Sequence, residues 1–426
     1  MVDIGHLIEN LFELIKHEQL WKPLAVVIAT VGVVAFMVGR RFPAASLQSP
    51  RNSAADTPAL ESKIELLKKE LSGALSRFDD ARRAVAAEGP GLWLSIPPAP
   101  PKDYELRLKS SIPILVVANL KGGVGKTTIA TGLAAHFANP FKVPHRKSER
   151  VLLIDLDFQG SLSSMALTTE DRSPGERTIS RATQLISGDA SPLELLRMHQ
   201  RVKGLEELHR EGTEFFAIPS YYDLAQAENR LMVEWLIGDA KADIRYNLAR
   251  ILLSEEVQRR YDRIVMDAPP RLTTAHVQAL TAATHVLIPT VLDQLSGEAV
   301  GSFVEQLIIH ARLWPHLKVV GVVGSMTEYG QDKRLLDYEN DGLLSIRQAL
   351  EQKKDAHGLR GPVTTILPRS CFIPDVRELG RAAGSRIGYL NPKSEADLIR
   401  RIFDHLGVEV TKASGEAQEL RDLVRP

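Results

Sequence analysis

One octapeptide constrains this chain more than anything else in it: Lys121-Gly122-Gly123-Val124-Gly125-Lys126-Thr127-Thr128. It follows an apolar run, Ile112 to Ala118, and precedes a helical pattern, Ile129 to Ala138. Strand, glycine-rich turn, Gly-Lys-Thr and helix make a phosphate-binding loop. The backbone N–H groups of Gly122, Gly123, Val124 and Gly125 surround phosphate oxygens, and the helix N-terminus adds partial positive charge. Lys126 is placed to reach the β- and γ-phosphates, and the Thr127 hydroxyl to ligate Mg2+. A second lysine, Lys121, opens the loop; an ordinary loop of this type does not need it.

Two further segments each read as a strand ending in acid. Val151-Leu152-Leu153-Ile154-Asp155-Leu156-Asp157-Phe158-Gln159-Gly160-Ser161 is one, and Tyr261-Asp262-Arg263-Ile264-Val265-Met266-Asp267-Ala268-Pro269-Pro270 is the other. Asp155 and Asp157 alternate along a strand and so share a face, toward the nucleotide at the carboxyl end of a sheet. One of the pair can serve Mg2+ while the other orients the attacking water. Asp267 closes an apolar strand, where the acid that supports Mg2+ usually stands. From about Tyr104 apolar stretches at 112–118, 151–156, 214–218, 263–267, 285–290, 317–323 and 363–367 alternate with helical ones. This predicts an α/β domain, a doubly wound and mainly parallel sheet, without internal repeats.

The chain before that domain is of another kind. Residues 1–22 carry an apolar stripe (Ile4, Leu7, Ile8, Leu11, Leu14, Ile15) and read as an amphipathic helix, at a membrane interface or packed on protein. Residues 23–41 contain the uncharged run Leu24 to Gly39, closed by Arg40 and Arg41, and are expected to span a membrane once with the downstream side cytoplasmic. The expected location is the bacterial inner (cytoplasmic) membrane, with the domain downstream in the cytoplasm. Residues 42–58 form a linker. Residues 59–88 hold a heptad seam, Leu60, Ile64, Leu67, Leu71, Ala74, Phe78, Ala81 and Val85, for a short coiled coil or a helix folded onto the next domain. A proline-rich spacer at 89–103 leads to the ATPase domain at 104–410 and a tail at 411–426. The 426 residues carry no formal net charge, so overall charge gives no argument for nucleic acid, and a single cysteine, Cys371, excludes an internal disulfide framework.

Taken in order, these motifs resemble the ParA/MinD family of deviant Walker A ATPases, over roughly residues 110–410. The resemblance includes Lys121 to Thr128, Asp155 to Gly160, Ile218-Pro219-Ser220 with Asp223-Leu224, and Asp267 to Pro270. It continues through Leu287 to Thr290, Leu295 to Glu298, and Ile366-Leu367-Pro368-Arg369, and it is nearer the ParA branch than MinD. It implies ATP and Mg2+ as cofactors and an ATP-sandwich homodimer. Lys121 would cross to the partner's phosphates, Lys126 would bind phosphate in its own subunit, and Thr128 would contact the α-phosphate. Asp157 would position water; Thr127, Asp155 and Asp267 would serve the metal; Pro368 and Arg369 would help bind the nucleotide. Phe158 and Ser161 depart from the family's usual proline and asparagine, so turnover is expected to be slow and stimulated by a partner.

The expected function is a membrane-anchored, ATP-dependent dimerisation switch that positions or recruits a partner or cargo. One alternative is a partition ATPase binding non-specific DNA at the membrane, with Lys333, Arg334, Arg369, Arg377, Arg381 and Arg386 as candidate contacts among interleaved acids. Others are an ATP-binding scaffold with little turnover and a membrane tyrosine kinase, against which the isolated Tyr389 argues.

Overall fold

The computed structural model describes residues 91–141, 143–166, 180–202, 213–238, 242–328, 335–374, 387–390 and 397–424, with Ala240 and scattered positions between 62 and 83. The amphipathic helix at 1–22, the apolar run at 23–41, the linker at 42–58 and every residue of the heptad seam lie outside the described residues, as do Lys333, Arg334, Arg377, Arg381 and Arg386. Among the described residues no helix is long and apolar enough to cross a membrane. The chain divides into two compact units, Met1–Lys69 and Glu70–Pro426. The second contains everything that follows.

Among the described residues eight strands form one sheet in the order β3-β4-β2-β5-β1-β6-β7-β8. They are β1 Ile114–Val117, β2 Val151–Asp155, β3 Gln200–Arg201, β4 Phe215–Ile218, β5 Arg263–Asp267, β6 His285–Val291, β7 Lys318–Thr327 and β8 Ile373–Pro374. Every residue of β1 and β2 is buried, as continuous apolar strands covered on both faces should be. All pairings are parallel except β3 with β4, which makes the sheet mixed at one edge. The chain leaves β1 toward β2 on one side, and β6 flanks β1 on the other. The crevice above β1 is therefore a topological switch point, where ligands of such sheets bind.

Helix α1, Lys126–Ala138, begins in that crevice and is buried along nearly its whole length. Its outer side is closed by α6, Asp397–Glu416. Two glycines allow that approach: a Cβ at Gly132 would lie 2.3 Å from the Phe403 ring, and one at Gly407 would lie 2.1 Å from the His136 ring. The helices between are α2 Asp223–Ile237, α3 Thr274–Ala282, α4 Gln294–Ile309 and α5 Asp337–Ala356, with shorter ones among them.

Three expectations change. The stretch 363–367 forms no strand; it makes one isolated bridge, Val322 to Ile366, and the eighth strand comes later, at Ile373–Pro374. Residues 411–424 are no loose tail, because α6 runs to Glu416 and Leu420–Val424 forms a helix whose Leu420 N–H donates to Leu317 O. Residues 91–101 are no free spacer either: Trp93 is buried in the main core. Pro97, Ala99 and Pro100 stay exposed, but the segment is tethered, because Arg245 takes the carbonyls of Trp93, Ile96 and Pro97.

Candidate active site

The phosphate loop leaves β1 with Gly123 and Gly125 at φ of 71° and 76°, values that side chains other than glycine rarely adopt. A Cβ at Gly122 or Gly123 would meet nothing within 4 Å, so the loop faces open space on the side where phosphates would lie. Its base is held from below. Asn119 donates to Pro289 O and accepts from the Lys121 N–H, at 2.8 and 3.1 Å. Ser325, near the end of β7, donates to Val124 O at 2.8 Å. The Lys126 ammonium, 3.0 Å from Lys121 O, lies folded along the loop, and burial pushes its pKa below the ordinary value against the pull of Asp267 and Asp157.

Register brings the acids together. Asp155 pairs with Asp267 across β2 and β5, and Val117, the last residue of β1, pairs with Asp267 on the other side. Both carboxylates are buried. Asp155 accepts from the Asp157 N–H at 3.1 Å and from the Ser163 N–H and hydroxyl at 2.9 and 2.7 Å. Asp267 accepts from the Thr127 hydroxyl at 2.6 Å through one oxygen, while its other oxygen is buried without a hydrogen-bond partner among the described residues. Burial drives both pKa values up, Asp155 to about 7, and each charge opposes its neighbours'. Hard oxygen ligands at closely spaced carboxylates suit Mg2+. A buried carboxylate oxygen left unpaired beside a threonine hydroxyl thus fits the metal: Thr127 and Asp267 would hold it, with Asp155 beside them. Bound there, it would neutralise phosphate charge and orient the γ-phosphate.

Asp157 lies at the rim, its carboxylate accepting from the Gln159 N–H at 3.1 Å. Next to it Phe158 meets Tyr222 edge-on, 6.4 Å between ring centroids, and both rings are partly open to solvent. Lys121 is held on its own subunit. Its ammonium lies 3.0 and 3.2 Å from the Asp293 carboxylate and 3.1 Å from the Ser296 hydroxyl. Asp293 caps α4, accepting from the Ser296 N–H, and burial raises its pKa less than Ser296 and Lys121 lower it. Thr128 lies in the first turn of α1. Pro368 caps a short turn, and the guanidinium of Arg369 bonds Asn340 at 3.1 Å rather than any loop residue. Sequence reasoning missed Asn119, Ser163, Asp293 and Ser325. Asp293 alone carried a local signal, an N-cap three residues before Ser296.

The loop after Asp267 is fixed at several points. His276 sits with Nδ1 2.9 Å from Pro269 O, and burial holds its pKa down at about 4, so it is neutral and donates there. Glu228 of α2 accepts from the Ala275 N–H at 2.8 Å.

A sheet with this loop at its switch point, two buried acids beside it and a threonine hydroxyl bonded to one of them defines a nucleotide-binding P-loop domain. A family model described as an AAA domain matches residues 112–319. The chromosome-partitioning ATPase Soj of Treponema pallidum is 33% identical over 289 residues, covering 64% of this chain and 98% of that one. Soj of Thermus thermophilus is 29% identical over 275 residues, 64% of this chain and 88% of that one. A solved structure of a McdA variant from Cyanothece in complex with ATP has 18% identity, covers 72% of this chain and 97% of that one, and superposes with a TM-score of 0.50, a likeness of fold. The chain belongs to the ParA/Soj family of P-loop ATPases.

Proposed function

We propose that the protein is a partition-type ATPase working as an ATP-dependent dimerisation switch. The observation that carries this is Lys121: a loop lysine at the open face, held by Asp293 instead of by anything in its own phosphate cradle. A lysine so placed can exchange one anion for another, the Asp293 carboxylate for the phosphates of a second copy. ATP would then hold two subunits together by charge neutralisation that only the dimer completes, and hydrolysis would release them. Thr127, Asp155 and Asp267 would serve Mg2+, Asp157 would position the water, Thr128 would touch the α-phosphate, and Pro368 and Arg369 would border the nucleotide.

The relatives named as chromosome-partitioning ATPases support a cargo-positioning role. The apolar run Leu24 to Gly39 supports anchoring at the inner membrane with the ATPase domain in the cytoplasm. Phe158 packed on Tyr222 beside Asp157 supports slow turnover that a partner accelerates. Non-specific DNA binding is the second reading, which the partition relatives favour; an ATP-dependent, salt-sensitive shift of DNA supports it and no shift removes it.

The test is a pair of variants. Lys126→Ala abolishes nucleotide binding. Lys121→Ala retains binding but loses ATP-driven dimerisation and hydrolysis; normal hydrolysis by Lys121→Ala refutes the switch.

A further inference from the structure

Residues 91–101 precede the region that the family model matches, yet they reach the loop that follows Asp267. Gly91, at φ 83°, turns the chain into the short helical turn Leu92–Leu94. That turn puts the Trp93 indole inside the core, where its N–H donates to Leu272 O at 3.2 Å. Leu272 lies in the loop 268–273, between Asp267 and α3. The same indole stacks on Trp235 of α2, 5.7 Å between centroids and 22° between planes. α2 in turn carries Glu228, which accepts from the Ala275 N–H in the first turn of α3, where the loop ends, and it starts beside Tyr222, the neighbour of Phe158. Trp93 therefore touches the loop directly and the helix that braces it.

The strap itself is firmly placed. The buried Arg245 guanidinium donates to the carbonyls of Trp93, Ile96 and Pro97, the last two at 2.9 and 3.0 Å. Its charge is met by Asp243 at 2.6 Å, and it lies 4.8 Å from the Trp235 ring centroid. Asp243 also accepts from the Ala99 N–H at 3.0 Å. A buried ion pair that satisfies four backbone groups is costly to break, so the strap stays where it is and can act as a fixed support.

We propose that Trp93 is a positioning residue of the ATP site: its indole N–H holds the loop 268–273 so that Asp267 presents its unpaired oxygen to Mg2+. This rests on Asp267 serving the metal. It also links the site to the chain upstream, because whatever displaces the strap must weaken metal binding, and metal binding must tighten the strap.

Three variants of the full-length protein test it. Trp93→Phe keeps an apolar ring and removes the N–H. Trp235→Phe disturbs the stack and keeps the N–H bond to Leu272. Asp267→Asn tests the metal role itself. Two readouts are needed besides turnover: the Mg2+ concentration that half-maximally supports binding of a fluorescent ATP analogue, and amide exchange at residues 268–275 without nucleotide. One hydrogen bond of ordinary net strength predicts that Trp93→Phe raises the Mg2+ requirement about threefold to tenfold and speeds exchange in the loop. Trp235→Phe stays near the wild-type requirement. If Trp93→Phe lowers thermal stability but leaves the Mg2+ requirement and loop exchange unchanged while Asp267→Asn shifts the requirement, Trp93 is only a packing residue and the proposal is overturned. If Trp235→Phe shifts the requirement as much as Trp93→Phe does, the N–H is not responsible. If Asp267→Asn leaves the requirement unchanged, the metal role of Asp267 falls and the proposal with it.

Discussion

Asp293→Asn separates the two jobs of one carboxylate. Asp293 caps α4 and holds Lys121. Asparagine caps helices about as well as aspartate, so the helix loses little. What is lost is the charge that Lys121 must leave when it crosses to a partner. The pair is half in water, 29% and 41% exposed, so screening limits it to about 0.5–1 kcal/mol. A symmetric dimer releases two such lysines. The sum is roughly 1–2 kcal/mol per dimer, or a dissociation constant lower by about five- to thirtyfold. Sedimentation with Mg2+ and a non-hydrolysable ATP analogue reads this directly. The gain should shrink in high salt, where the released pair was already weak, since about 1 M salt screens charges beyond roughly 3 Å. Nucleotide affinity measured below the dimerisation concentration should not move. If Asp293→Asn dimerises no more tightly than the parent at low salt, with its melting temperature unchanged, then Asp293 does not restrain Lys121 and the exchange of anions described above is wrong.

Other outcomes follow from the same geometry. Phe158→Pro, which restores the residue usual in the family, should raise ATP turnover severalfold with little change in nucleotide affinity; equal turnover in a steady-state assay removes Phe158 from the account of slow hydrolysis. The pH dependence of stability without Mg2+ should carry the signature of Asp155. Its pKa is raised in the fold from 3.8 to about 7, so the folded chain holds the proton more tightly than the unfolded one. Its contribution is complete below about pH 4 and is lost as pH rises to about 7. Melting curves in EDTA should show the difference between parent and Asp155→Asn changing across that window, in the parent's disfavour at higher pH; a constant difference means that the carboxyl is not buried in this way. Gly407→Ala puts a methyl 2.1 Å from the His136 ring and should cost about 1–3 kcal/mol in chemical unfolding by forcing α6 off α1.

What the sequence disclosed, and what it withheld, follows from how far apart the partners are. The phosphate loop and the two acid-ending strands are contiguous motifs, so residue type and spacing carried them, and the parallel register then set Asp155 beside Asp267. The partner of Lys121 stands 172 positions away, and that of Trp93 179 away, so neither could be read from spacing. The stretch 363–367 shows the opposite failure. Its β-branched and apolar residues suit a strand, but among the described residues only Val322 exchanges ladder bonds with it, donating to Thr365 O and accepting from the Leu367 N–H, before Pro368 turns the chain. Propensity proposes a strand; a neighbour with free N–H and C=O groups in register decides it.

The same distances bear on how the site works. Two buried carboxylates side by side both resist ionising, because burial acts on each and neighbouring acids add to it, Asp157 on Asp155 and both of these on Asp267. The charge of Lys126 offsets part of this for Asp267 although its hydrogen bond goes to a loop carbonyl, and Lys121 gives its hydrogen bonds to Asp293 and Ser296. A divalent cation held by Thr127 and Asp267 would correct this imbalance, but arriving with the negative phosphates it would create a second one. Lys121 rests on a half-exposed carboxylate that also accepts from the Ser296 N–H and hydroxyl, so Asp293 keeps partners when the lysine leaves. That is a physical reason for a lysine at the start of the loop, where an ordinary phosphate loop has no use for one.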